Sequence, residues 1–330
     1  MNPEHDLRPS VPPSVRAGAL PPFRTNLILF LLTIVSVFHA GVAFAGGADE
    51  RSFLRQLLDP EYLMRGASFA VPLLGILLTH EFGHFFAARW HRVPASFPYF
   101  IPFPGLLFGT MGAVMAMPAP IRSRRALLDI GAAGPIAGLV VAIPVLCFGL
   151  ARSEVLPPPE AGVLVIQEGQ SVLYLLLKRL VVGPIPEGHD VALHPTAVAG
   201  WAGLFLTMIN LLPWGQLDGG HIVYALIGQR HHAIARWVRR ALLLLFAYNV
   251  FVFVVPVLTN RSELPLPLAI SNSAFWLVWF LVLGVIGFVS GGAKHPPYEP
   301  GELDGRRRAL GWACVVLFVL LFMPTPLSYR

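Results

Sequence analysis

The chain has 330 residues, 55% of them hydrophobic and only 13% charged, with a mean hydropathy of +0.66. Soluble domains carry about 25% charged residues, so the composition excludes an ordinary soluble protein and points to an integral membrane one. The net charge of +6 does not indicate nucleic acid, because the basic residues sit in short loops beside apolar runs, which is the pattern of membrane topology.

Residues 1–24 are rich in proline and contain Glu4 and Asp6, which argues against an organelle transit peptide and predicts a short mobile tail. A spanning helix needs about 20 mainly apolar residues. Seven runs approach that length, near 25–45, 68–89, 127–150, 197–213, 238–258, 268–290 and 309–325. The expected fold is therefore all-α and polytopic, with about six to seven transmembrane helices in a single membrane domain over 25–330. The first run ends in "AFAGG", which has the small-x-small look of a signal-peptidase site, but its length favours a retained helix.

Between the second and third runs, residues 93–125 are apolar yet interrupted repeatedly by Pro and Gly, so they cannot form a regular spanning helix. The centre, 105–117, is predicted to be a re-entrant hairpin or strand pair; the alternative is a surface loop with an apolar tip. After the third run, "SVLYLLLKRLVV" at 171–182 is too short to span and is expected to lie at the membrane interface. Placing the N-terminus inside puts sixteen Lys and Arg residues on the inner side and eight on the outer, with the chain ending outside. Cys147 and Cys314 each lie within an apolar run and are read as packing residues.

The chemistry concentrates in "LLTHEFGHFFAARW", residues 77–90. His80 and His84 are four apart, one helical turn, so both imidazoles can reach one tetrahedral zinc. Glu81 can stand beside the open coordination position as a general base. Ionisable groups within a membrane helix cost about 2.5–3.5 kcal/mol each on insertion scales, and so are functional by default. A zinc hydrolase also needs a third protein ligand. The candidates are Asp129, Asp218, His221 and His39. Asp218 lies in "NLLPWGQLDGGH", residues 210–221, where Pro213 breaks the fourth run and Gly219 and Gly220 permit close approach of the backbone. Viewed by itself, Asp218 reads first as the cap of a short helix beginning near His221.

"HEFGH" in one membrane helix, followed by "N-x-x-P-x-x-x-L-D-G" in a later one, resembles the site-2 protease family of intramembrane zinc metalloproteases. The resemblance covers roughly residues 68–240. It looks like the branch found in bacteria, archaea and plastids, with no evident PDZ-type module or CBS pair. It implies one zinc per chain held by His80, His84 and Asp218, with Glu81 as general base. It also implies that Asn210 hydrogen-bonds the substrate backbone or the oxyanion; an interhelical hydrogen bond is the plainer role for that amide. The hairpin at 109–117 would be an edge strand pairing with an extended substrate. Gly131, Gly134 and Gly138 are read as allowing close helix packing.

The expected function is thus regulated intramembrane proteolysis by a multi-pass endopeptidase of a bacterial plasma (inner) membrane. Its partners would be the lipid bilayer and a membrane-protein substrate with a transmembrane segment, with no nucleic acid. The rival expectation is a metal-ion transporter or channel whose intramembrane His and Asp residues line a path.

Overall fold

The computed structural model describes residues 23–44, 59–117, 121, 123–157, 164–289 and 301–330. Most of the expected N-terminal tail and the end of the "AFAGG" segment lie outside the described residues.

Helix α1 spans Phe23–Phe44. Helix α2, Pro60–Trp90, is opened by Asp59, whose side chain accepts the Glu61 amide, and by Pro60 in the first turn, where a missing N–H costs nothing. Its 31 residues give about 46 Å, more than the thickness of a bilayer core. Helix α3, Arg124–Leu150, is capped by Ser123, which accepts the Ala126 amide. Helix α5, Pro195–Asn210, packs with α2 and α3 into a three-helix core. Helix α4, Val172–Val182, precedes it, with Val172, Leu175, Leu176 and Leu180 exposed.

After α5, a turn over 211–217 leads into α6, Asp218–Ile227. A single 3-10 turn joins α6 to α7, His231–Asn249, which continues through a widened turn at Val250–Val254 into α8, Val255–Leu258. Helices α9, Leu266–Val289, and α10, Gly305–Leu321, complete the bundle.

Among the described residues, five stretches are long and apolar enough to cross a membrane: α1, α2, α3, the run 218–258, and α9. The sequence expectation of six to seven counted two more. Helix α5 has 16 residues and α10 has 17, because the turn before α6 stops the former and Phe322 turns extended after the latter.

Among the described residues, three two-stranded antiparallel sheets accompany the helices. Strands β1, Tyr99–Pro102, and β2, Thr110–Val114, form the hairpin expected between α2 and α3, although its first strand starts earlier than the predicted centre. Its turn carries Gly105 and Gly109 at φ +89° and +72°, which glycine adopts without steric penalty. A Cβ on Gly109 would also lie 2.3 Å from the Ser36 carbonyl of α1. Strand β3, Glu154–Leu156, pairs with β5, Asp190–Ala192. Strand β4, Ile166–Glu168, pairs with β6, Leu327–Tyr329.

The loops separate onto two ends of the bundle. At one end, Asp129 receives His91 Nε2 at 2.8 Å and the Arg307 guanidinium at 2.8–3.0 Å, while Arg124 donates to the Ala225 and Leu226 carbonyls. Arg307 thereby holds its proton even more firmly than usual, chiefly through the Asp129 hydrogen bonds. At the other end lie β3–β5, β4–β6 and α4. There the buried Lys178 ammonium meets Glu168 at 3.1 Å and Asp190 at 3.3 Å. Burial, followed by the Glu168 carboxylate that accepts its hydroxyl at 2.7 Å, pushes the Tyr174 phenol well above its ordinary range. The loop after α2, Arg124 and Arg307 therefore share one end, the basic end.

Candidate metal centre

Helical periodicity places His80 and His84 on one face of α2, and that face packs on α3. The approach depends on small residues. A Cβ on Gly83 would lie 2.6 Å from the Ala133 carbonyl. A Cβ on Gly134 would lie 2.1 Å from His84 Nε2, and one on Gly138 3.2 Å from His80 Nδ1. The glycines of α3 thus permit close packing, as expected, and they also form the hollow that receives the two imidazoles.

His84 Nδ1 lies 2.8 Å from the Ile130 carbonyl. With the proton on Nδ1, this bond leaves Nε2 as the free lone pair and fixes the ring orientation. The Ile130 contact could not be read from the sequence, since a main-chain carbonyl carries no residue signature.

Asp218 arrives from α6, which also packs on α3. The 211–217 turn folds tightly because Gly215 adopts φ +52°. A Cβ on Gly219 would lie 2.0 Å from the Leu211 carbonyl, and one on Gly220 2.3 Å from the Gly215 carbonyl. Asp218 is the first residue of α6 and makes no side-chain cap; the position before it, Leu217, supplies none either. Its carboxylate points instead at the histidines, with Oδ2 3.3 Å from both His80 Nε2 and His84 Nε2, which are 3.1 Å apart.

One ligand atom from each of His80, His84 and Asp218 falls within 4.8 Å of the others, so the group could hold a metal ion. Glu81 is buried next to it. One buried and one partly buried carboxylate beside two buried imidazoles form a donor set whose negative charge a divalent cation neutralises, and nitrogen and oxygen donors in this ratio suit zinc. The residues present therefore fit the metal.

The Asn210 amide nitrogen lies 3.2 Å from His80 Nε2, which brings this residue to the centre through an interhelical contact. The rival ligands are placed elsewhere. Asp129 is taken by His91 and Arg307, and His39 is exposed on α1. His221 lines the same cavity as the centre without joining the ligand group.

The centre opens into a cavity of about 1060 Å³ walled by α2, the β1–β2 hairpin, α5 and α9. Met111 to Met115 of the hairpin line it, with apolar side chains dominating the wall. Counting 1.5 Å per residue along α2, His80 lies about 15 Å from Trp90 at the basic end, and His84 about 9 Å. The centre is therefore nearer the basic end than the other. Sequence reasoning missed the contributions of Asn272 and of 327–329 to the cavity wall.

Residues 68–252 match the family model described as peptidase family M50. The chain is 34% identical over 221 residues to "Probable zinc metalloprotease EGY1, chloroplastic" of Arabidopsis thaliana, covering 62% of this chain and 39% of that protein. It is 32% identical over 222 residues to the protein of the same name from Oryza sativa subsp. japonica, covering 62% and 38%. Against "Probable zinc metalloprotease EGY2, chloroplastic" of Oryza sativa subsp. indica it is 34% identical over 174 residues, covering 52% and 31%. The chain thus spans about two fifths or less of the length of these relatives. No solved structure matches it.

Proposed function

The chain belongs to peptidase family M50, and on that premise we propose that it is an intramembrane zinc endopeptidase that cleaves transmembrane segments of membrane proteins. The observation that carries this reading is the convergence of His80, His84 and Asp218 within 4.8 Å, beside Glu81, on an apolar-walled cavity.

His80, His84 and Asp218 would hold one zinc ion, which when bound supplies a Lewis acid that lowers the pKa of water to about 7 and polarises a carbonyl. Glu81 takes the proton from the attacking water and delivers it to the leaving amine. The Asn210 amide, next to His80, is a donor suited to the oxyanion of the tetrahedral intermediate. The β2 strand along the cavity offers backbone groups to a substrate that must unwind before its carbonyl can be attacked.

The enzyme would act near the inner face of a bacterial plasma membrane, with its N-terminus inside. The two-to-one excess of Lys and Arg on one set of loops supports that orientation. A metal conduit would need polar groups at several depths, whereas the metal-ligand group lies at one.

The test is purified protein in proteoliposomes with a membrane-embedded reporter. Glu81→Gln is expected to retain zinc and lose cleavage by about 10²–10⁴-fold, while Asp218→Ala loses the zinc itself. Normal turnover by Glu81→Gln would remove the base assignment. Zinc flux without cleavage by the unaltered protein would replace protease with transporter.

A further inference from the structure

We infer that residues 323–329, which end in strand β6, are a segment bound in cis in a groove that takes extended polypeptide, and that they must leave before a substrate reaches Glu81. This rests on the proteolytic reading above.

Beyond α10 the chain bends at 324–326 and then runs as strand β6, and its main chain is gripped at nearly every step. The Pro324 carbonyl accepts from Trp276 Nε1 at 2.7 Å and from Asn249 Nδ2 at 3.1 Å. The Thr325 hydroxyl donates to Asn249 Oδ1 at 2.7 Å. The Gly169 amide donates to the Pro326 carbonyl at 2.8 Å, and a Cβ on Gly169 would lie 2.7 Å from Pro326, so the close approach requires glycine. Strand β6 then adds to β4, and Val165 and Arg330 exchange both backbone hydrogen bonds at 2.9 Å. Finally, the Asn272 side chain is bidentate to one residue: it donates to the Tyr329 carbonyl at 3.0 Å and accepts the Tyr329 amide at 2.8 Å.

Two features separate this from ordinary packing. Asn249 and Asn272 are 1% and 4% exposed, and their amides are directed largely at this one segment. A buried amide aimed at a neighbouring backbone is costly to leave without a partner. Moreover, all of these contacts except that of the Thr325 hydroxyl read the main chain rather than side chains, which is how a sheet edge accepts an exchangeable peptide. On its other face the segment reaches the catalytic cavity: Leu327, Ser328 and Tyr329 line it together with His80 and Glu81. The segment is thus a wall of the cavity at the end away from the basic loops, held by contacts that another extended chain could satisfy.

The geometry supplies a lock. Ile166 and Tyr329 are Cα partners across the antiparallel ladder and flank the pair that exchanges hydrogen bonds, so they form a close non-hydrogen-bonded pair within disulfide range. In full-length protein with Cys147 and Cys314 replaced by alanine, Ile166→Cys with Tyr329→Cys is oxidised, and the cross-link is verified by mass. Reporter cleavage is expected to fall at least tenfold and to return on reduction to the rate of the never-oxidised form, with zinc content equal in both states. Equal cleavage in the cross-linked and reduced states would overturn the inference. Asn272→Ala, which loosens the grip, is expected to raise cleavage at least threefold, and a fall would likewise count against it. If the parent protein cleaves in neither state, it is the protease reading that fails.

Discussion

Helix α3 and the stretch 218–258 are nearly equal in hydropathy, at 2.2 and 2.5, yet 44% of the most apolar part of the first is buried within the protein and 11% of the second. Hydrophobicity therefore does not say which span faces protein and which faces lipid. The difference lies in small residues. Helix α3 carries Gly131, Gly134, Gly138 and Gly149, each with neighbouring atoms where a Cβ would stand, whereas 231–258 contains no glycine. In a bilayer the tails are as apolar as Leu, so close packing by small residues and hydrogen bonds, rather than apolar burial, brings helices together.

That contrast can be broken in order of expected effect. Gly134→Val fills the hollow that receives His84 and should abolish zinc binding, measured as metal content of the purified protein; full zinc occupancy would show that the hollow is not needed. Asp129→Asn weakens the partly buried ion pair with Arg307 and is expected to lower stability by about 1–3 kcal/mol, read from thermal unfolding in detergent. Leu244→Ala, at a position 71% exposed on α7, should change stability by less than about 0.5 kcal/mol in the same assay. A loss of several kcal/mol there would mean that α7 packs against protein rather than lipid.

Much of the centre was legible because it is local. His80, Glu81 and His84 lie within five residues, and helical spacing by itself puts both histidines on one face. Asp218 was legible as one of four candidates. The family resemblance singled it out, and the turn at 211–217 shows how it reaches the histidines instead of acting as a helix cap. The hairpin was visible as Pro and Gly interrupting an apolar stretch, but β1 begins at Tyr99, where nothing in the sequence distinguishes strand from loop. The two shortest apolar runs form helices of 16 and 17 residues, and their ends were not legible because hydropathy windows do not register where a helix stops.

The sequence by itself determined a membrane protein, the ligand face of α2 and the small-residue face of α3, because composition and helical period are properties of neighbouring residues. Tertiary structure decided the rest. Only folding brings the Ile130 carbonyl to His84, Asp218 to both imidazoles across more than 130 positions of chain, and β6 to β4 across about 160. These contacts are made by backbone groups or by single side chains from distant segments, and no periodicity connects them. They are set by how closely the helices can approach, and glycines decide that distance.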